Sequence, residues 1–207
     1  SYIPTEGSTV TRNQDVCNNG GSLATINSTE GVLYAEIAAL VNDLSQRYIS
    51  INDGTNQNQI DIHYDVASNF ISAFCRVSNS LVCNIGFATT DIKDFNKIAF
   101  KYKENDFALW VNGTKVGTDT SGITFPIDTL NRLNFLKGSG GNFFGKTTAL
   151  AVWPEALSDQ ELADLTYPTP TFPTFTLDFD TIAEQFTFAR GSEATYVDAQ
   201  GLIQSTN

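Results

Sequence analysis

The stretch that decides the fold runs from Phe95 to Gly117 and reads FNKIAFKYKENDFALWVNGTKVG. Two strand-like runs, FNKIAFKYK and FALWVN, are separated by the turn residues Glu104-Asn105-Asp106. Asn112-Gly113 then makes a tight turn into Lys115-Val116-Gly117. This pattern predicts consecutive β-strands that are joined by short turns and contribute their apolar residues to a core.

Short strands and Asn/Gly turns recur on both sides of this stretch, which indicates an all-β chain. We predict further strands over 47–52, 59–64, 69–77, 81–87, 132–137 and 146–153. In QIDIHY (59–64), Ile60 and Ile62 face one way, whereas Asp61 and His63 face the other. GVLYAEIAAL (31–40) also predicts a strand, with a helix as the alternative because Ala and Leu are good helix formers.

One short helix is predicted near the end of this region. Ser158 is a candidate N-cap, and Glu161, three residues later, completes a capping box. We expect about two helical turns that end near Thr166.

Composition narrows the classes of partner. The chain has 207 residues, of which 41% are hydrophobic, and this is a globular composition. Its net charge of −11 repels phosphate backbones, so we expect no nucleic-acid partner. No apolar run is long enough to span a membrane, so no membrane insertion is expected. The chain opens at Ser1 and has no methionine, from which we expect an excised or processed piece of a longer protein.

The three cysteines and the single histidine do not form a recognisable metal-binding or catalytic motif. An odd number of cysteines argues against a disulfide framework, and no Cys/His spacing fits zinc. If a three-residue loop is centred on Asn79, Cys75 lies across from Cys83, either bridged or as two reduced thiols. His63 has no evident Ser or Cys partner, and we place it on a strand surface.

Two stretches carry a family resemblance. Phe95–Gly117 resembles a hairpin of laminin-G-like domains, and Ala149–Leu165, ALAVWPEALSDQELADL, is similar to their closing strand and helix. Trp153-Pro154 departs from the usual closing pattern, in which an aromatic–Asn pair is commoner. The resemblance implies a concanavalin A-like (laminin-G-like) jelly-roll β-sandwich over 25–166, with one short C-terminal helix.

The ends of the chain resemble phage tail and virion proteins. SYIPTEGSTVTRNQDV (1–16) is similar to a connector in such proteins, EGVLYAE (30–36) to their first strand, and FTFARGSEATYVDAQGLIQ (186–204) to the opening of a further module. We therefore expect a connector over 1–24, a Pro-rich linker over 167–175 and the start of a following module over 176–207. The resemblance implies a virion location, extracellular action, and contacts with other virion subunits.

The function that this resemblance implies is non-catalytic attachment to a cell-surface glycan or polysaccharide. A spacer or decoration domain without a ligand is the alternative, and a glycan hydrolase is a distant third. The Glu-x-Asp-x-x-Glu trio of related glycanases is missing, and Asp178 and Asp180 would share one strand face rather than oppose each other. The Gly138–Gly141 run is not a phosphate loop, because no Gly-Lys-[Ser/Thr] follows.

Three loops rich in Asn, Asp and Gly could hold a sugar: 53–58, 64–69 and 137–144. Amides and carboxylates would bind hydroxyl groups, and an aromatic ring would stack on the sugar. The same residues also suit plain turns, and Trp110 also suits core packing, while Trp153 is expected to pack under the helix. The candidate ligand-binding residues are Tyr64, Asp65, Asn56, Asn142, Phe143 and Trp110.

Calcium is the only cofactor that the resemblance brings in. Laminin-G-like domains often hold one calcium ion, and Asp53, Asp65 and Asp128 are the candidate ligands here. No EF-hand spacing is present in the sequence.

Overall fold

The structure is a computed structural model that describes residues 17–138 and 140–168, together with two short strands nearer the end of the chain. The described elements, in chain order, are β1 (Glu30–Ala39), β2 (Arg47–Asn52), β3 (Gln59–Tyr64), β4 (Phe70–Val77), β5 (Ser80–Ala88), β6 (Asn96–Lys103), β7 (Phe107–Val111), β8 (Thr114–Asp119), β9 (Arg132–Asn134), β10 (Gly145–Trp153), α1 (Asp159–Thr166), β11 (Ala194–Val197) and β12 (Ile203–Thr206).

The fold is a sandwich of two five-stranded antiparallel sheets. The first sheet has the order β10-β1-β6-β7-β8, and the second has the order β5-β4-β3-β2-β9. The predicted all-β sandwich with one short helix is thus confirmed, and the deciding stretch forms β6, β7 and β8.

Residues 31–40, for which the sequence also allowed a helix, belong almost entirely to strand β1. β1 lies between β10 and β6 and is covered on both faces. Leu33, Ala35 and Ile37 point into the main core, while Val32 and Tyr34 pack on the opposite side. A strand that is buried on both faces carries apolar residues without strict alternation, which explains its helix-like composition.

The main core lies between the two sheets. Ile60 and Ile62 of β3 are fully buried there, as their alternation predicts, with Ile49 and Ile51 of β2 beside them. Each fully buried isoleucine contributes about 2 kcal/mol relative to an exposed one. Consequently, β3 is fixed in register, and the side chains that alternate with these isoleucines must point outward.

Helix α1 forms a second apolar cluster on the outer face of the first sheet. Leu162 is fully buried against Trp110 and Tyr34, and Trp153 packs on the same cluster. The predicted capping box is present: the Ser158 side chain accepts from the Glu161 N–H, and the Glu161 carboxylate accepts from the Ser158 N–H at 2.8 Å. No helix in the described ranges is long and apolar enough to cross a membrane.

The Cys75–Cys83 register arises in a different way from the one expected. The β4–β5 loop is Ser78-Asn79, two residues rather than three, and both have positive φ. A register shift between Cys75 and Arg76 then brings Cys75 opposite Cys83. Both thiols are free and buried, so of the two alternatives the reduced pair is observed.

The chain divides into two units, Ser1–Thr169 and Pro170–Asn207. In the second unit, β11 pairs with β12 in antiparallel fashion. Asp178 and Asp180, the connector over 1–16 and most of the Pro-rich segment lie outside the described residues. The predicted domain boundaries therefore stay predictions.

Candidate functional site

The outward face of the second sheet carries a compact group of polar side chains that are almost completely buried. We call this group the polar face, and its members are Ser50 and Asn52 of β2, Gln59, Asp61 and His63 of β3, and Ser72 of β4. An outward sheet face is usually wet, and buried polar groups need partners. The polar face is therefore the part of the sandwich to examine for function.

Strand alternation and register create the polar face. Because Ile60 and Ile62 point into the core, Gln59, Asp61 and His63 point outward. Pairing places Ser50 beside Asp61, and Phe74 on the far side of Asp61. The next row sets Tyr48 beside His63, and Ser72 beyond it.

The β2 side of the polar face is satisfied by hydrogen bonds. Ser50 Oγ donates to the Leu136 carbonyl at 2.5 Å, and Asn52 Nδ2 donates to Ser50 Oγ at 2.7 Å. Asn52 Oδ1 accepts from Asn134 Nδ2 at 3.2 Å and from the Gly54 N–H at 2.8 Å. These bonds tie β2 to β9 and to the following loop, so this side serves as a rigid support.

The centre of the polar face is a buried carboxyl–imidazole pair. Asp61 Oδ1 lies 2.7 Å from His63 Nδ1, and Asp61 is 0% exposed. Burial raises the pKa of Asp61 to about 6, because it penalises the charged form more than His63, Lys137 and Arg76 stabilise it. The prediction that His63 lies on a strand surface is wrong, since only 3% of it is exposed.

Three buried polar atoms of this face have no hydrogen-bond partner among the described residues. They are both side-chain polar atoms of Gln59, Nε2 and Oε1, and the second carboxyl oxygen of Asp61. Leaving such a group unpaired costs about 1–3 kcal/mol. These three atoms lie at successive outward positions of β3, and all of them are buried in this structure.

Aromatic rings line the same face. Tyr48 stacks on the His63 ring, with centroids 4.4 Å apart, and Phe74 meets both rings edge-on. Lys137 Nζ lies 5.0 Å from the Tyr48 centroid and 5.4 Å from the Phe74 centroid, while Arg76 Cζ lies 5.5 Å from Phe74. The face thus combines unpaired polar atoms, rings and cations.

Two of the three predicted loops meet beside the polar face. A Cβ at Gly138 would overlap the Thr55 carbonyl group, so the loops over 53–58 and 137–144 touch through their backbones. Gly141 packs against the Tyr48 ring, and Asn142 bridges to Tyr48. Glycine is required at Gly138 by this contact.

Three of the predicted ligand-binding residues are core residues instead. Trp110 is 7% exposed, because α1 packs over it. Tyr64 is 1% exposed and packs 6.2 Å from Phe143, which is also buried in the main core. In this structure none of the three presents its ring to solvent, because alternation or loop packing turns each of them inward.

The other three predicted residues surround the polar face. Asn142 is exposed next to Tyr48, and Asn56 is half-buried in the 53–58 loop. Asp65 follows β3 at the His63 end, where its Oδ2 accepts from Ser72 Oγ at 2.8 Å. Burial tends to raise the pKa of Asp65, but hydrogen bonds from the Val66 N–H, Ser72 and Gln46 outweigh it and lower that pKa.

The predicted calcium ligands do not come together. Asp53 and Asp65 follow opposite ends of the β2–β3 hairpin, roughly 17 Å apart at the usual rise per residue. Asp53 instead holds its own loop, accepting from Thr55 and Asn58. Within the described ranges no group of three or more His, Cys, Asp or Glu side chains could hold a metal ion, so the triad with Asp128 is wrong.

Sequence reasoning missed Gln59, Asp61, His63, Tyr48 and Phe74 as one site. The alternation of QIDIHY already sent Asp61 and His63 to the outward face. The sequence did not show that these outward side chains are buried, because the loops that cover them are distant in sequence.

Comparison with known proteins supports the fold and little beyond it. No family model matches the chain. The tyrosine–tRNA ligase of Mycoplasma capricolum is 30% identical over 118 residues, which cover 49% of this chain. The aligned part spans only 28% of that ligase, so it does not assign this chain to the ligase family.

Solved structures with a similar fold are lectin-like sandwiches. The CBM40 domain of the Ruminococcus gnavus IT-sialidase, bound to α2,3-sialyllactose, has a TM-score of 0.56 at 17% identity and covers 75% of this chain and 98% of its own. A SAP-like pentraxin from Limulus polyphemus has a TM-score of 0.57 at 13% identity, covering 76% and 78%. The NanB sialidase of Streptococcus pneumoniae has a TM-score of 0.58 at 15% identity, covering 91% of this chain and 32% of its own. The chain therefore has a lectin-like jelly-roll sandwich fold.

Proposed function

We propose that this sandwich is a non-catalytic carbohydrate-binding module whose sugar site is the polar face. The observation that carries the proposal is the set of unpaired, buried polar atoms of Gln59 and Asp61 beside the rings of Tyr48 and Phe74. Sugars present hydroxyl groups that both donate and accept, and apolar C–H faces that fit aromatic rings. The amide of Gln59 can both donate and accept a hydrogen bond. Because Gln59 is 0% exposed, the proposal requires that a sugar displace the side chains that cover the polar face.

The geometry of the carboxylates favours binding over hydrolysis. Glycosidases use two carboxyl groups on either side of the scissile bond, roughly 5–10 Å apart. Here Asp61 and Asp65 lie on either side of the His63 imidazole, at 2.7 Å from Nδ1 and 3.9 Å from Nε2. The imidazole fills the space that a scissile bond would need, and Asp65 is held by Ser72. We therefore propose no hydrolase activity.

The biological setting of the proposal is attachment of a phage tail or virion protein to a cell-surface polysaccharide. Its support is the resemblance of 1–16 and 186–204 to phage tail sequences. The sialyllactose bound by the structurally similar CBM40 domain suggests sialylated glycans among the first probes. In this setting the module acts outside the cell as part of the virion.

The alternative is a spacer domain that binds no ligand. Near-complete burial of all six side chains of the polar face favours it, because an inaccessible polar layer can serve stability alone. The two functions predict different behaviour for the unpaired Gln59 amide.

The test is a glycan array, with and without calcium, followed by calorimetry on any hit with the variant Gln59→Leu. This change removes both unpaired atoms, so we expect stability to rise by about 1–2 kcal/mol while glycan affinity falls at least about tenfold. Thr147→Val is the matched control, since Thr147 Oγ1 on β10 is also unpaired and buried. It should leave glycan affinity unchanged. A blank array, or a Gln59→Leu protein that binds as the parent does, would refute the assigned site.

A further inference from the structure

Three cations of this strongly acidic chain gather on the polar face. Pairing across four strands sets Arg132, Asn52, Gln59 and Arg76 in one row, so Arg76 lies next to Gln59 and Arg132 lies beyond Asn52. Lys137 lies over the rings of the neighbouring rows. The net charge of the chain is −11, so a cluster of positive side chains is locally opposite in sign to the protein as a whole.

Five other cations in the described part of the chain pair with carboxylates. Arg47, Lys93, Lys101, Lys103 and Lys115 each lie within 3.3 Å of an Asp or Glu oxygen. By contrast, no ion pair within 4.0 Å of a carboxylate is found for the three cations of the polar face among the described residues. Arg76 donates to the Asn79 carbonyl at 3.0 Å, and Arg132 donates to Asn131 Oδ1 at 2.7 Å.

The local acid does not neutralise this group. Asp61 is the one carboxyl group among the six side chains of the polar face, and its Oδ1 is engaged by His63. Asp65, at the His63 end, is already bound by Ser72, Gln46 and the Val66 N–H. Asp53, in the neighbouring 53–58 loop, is bound by Thr55 and Asn58. The nearby carboxyl groups are thus engaged by other partners and leave the three cations to meet an anion from outside.

We propose that the polar face selects sugars that carry a carboxylate. Arg76 and Lys137, which are partly exposed and both lie beside the Phe74 ring, hold the carboxylate of the sugar. The planar guanidinium of arginine suits a carboxylate, since its parallel N–H groups can bond both oxygens. This inference rests on the proposed sugar site and names its ligand class.

The test compares sugars that differ only in charge. The probes are 3′-sialyllactose against its methyl ester, and digalacturonic acid against its dimethyl ester, each titrated by calorimetry at low and at moderate salt. We expect the charged member of each pair to bind more tightly, by roughly ten- to a hundredfold. That preference should weaken as salt is added, because these cations are partly exposed.

Substitution of single cations identifies which side chains bind the carboxylate of the sugar. Arg76→Gln and Lys137→Gln should each remove most of the preference for the charged sugar. Lys93→Gln, which removes an exposed cation elsewhere, is the control and should behave as the parent. Two independent variants keep the test decisive if one of them fails to fold.

The outcomes separate this inference from the function on which it rests. Equal affinity for charged and uncharged sugars would overturn the charge selection and leave the sugar site standing. A protein that binds none of the probes, and nothing on the array, would overturn both. Preference for the charged sugar that survives both substitutions would overturn the roles given to Arg76 and Lys137.

Discussion

Replacing Asp61 with asparagine should change how the stability of the domain depends on pH. The pKa of this buried carboxyl group is raised to about 6 from 3.8, chiefly by burial. Between these two values the folded chain holds a proton that the unfolded chain has lost. The contribution of Asp61 to the free energy of unfolding therefore falls as pH rises through this window, and it levels off above about pH 6.

The size of the effect follows from the shift. A difference of about two pKa units at 1.36 kcal/mol each gives about 3 kcal/mol. The asparagine amide cannot titrate, so the stability of Asp61→Asn relative to the parent should increase by about 3 kcal/mol between about pH 4 and pH 7. Carboxyl groups with lowered pKa values, such as Asp53 and Asp65, give the opposite slope in both proteins and cancel in the difference.

Reversible urea unfolding, followed by tryptophan fluorescence and circular dichroism at several pH values, measures this difference directly. Asp128→Asn, a change at an exposed loop residue, controls for the loss of one negative charge. A stability difference that stays flat with pH would mean that burial does not control Asp61. A difference that falls with rising pH would mean that His63, Lys137 and Arg76 dominate, and the reasoning would be refuted.

Three further predictions concern other parts of the sandwich. Trp110→Ala leaves a cavity under α1, so it should lower the free energy of unfolding by about 3–5 kcal/mol in denaturation experiments. Glycan affinity should be unchanged. Loss of affinity without loss of stability would contradict this prediction. Cys75 and Cys83 should resist alkylation in the folded protein and react when it unfolds, because both thiols are buried. Burial raises the pKa of both, that of Cys83 to about 12. Mass spectrometry of native and denatured samples after alkylation measures this, and a disulfide between the two residues would refute it. Ser158→Ala should destabilise the domain by about 1 kcal/mol in urea unfolding, whereas Ser158→Asp should retain the cap, and equal stability of the two variants would count against the cap.

Local pattern was sufficient to predict the strands. The turns around Glu104-Asn105-Asp106 and Asn112-Gly113 predict β6, β7 and β8, and the outward direction of Asp61 follows from alternation alone. The capping box at Ser158 is likewise a local signal, because its partner is three residues away.

What covers the outward faces could not be predicted in the same way. Trp110 and Asp61 both lie on the outward side of a sheet, where alternation alone would allow exposure. One is covered by α1 and the other by a layer that includes Lys137, which is distant in sequence from both β2 and β3. Alternation gives two sides to every strand, but it holds no information about which distant segment packs on each side. For this reason the surface prediction for His63 was wrong, and core packing and sugar stacking both stayed open for Trp110.

The order of the strands has a consequence for how the chain reaches its folded state. β2, β3, β4 and β5 are consecutive and pair with their sequence neighbours, so most of the sheet that holds the polar face closes through short loops. β1 also pairs with β10, which is made more than a hundred residues later. Because distant pairings are slow to form, we expect the β2–β5 meander to be protected before β1 and β10 meet, and pulse-labelled hydrogen exchange during refolding would show this order. The surface proposed to bind sugar would then be the first part of the sandwich to exist, assembled before the opposite sheet is complete.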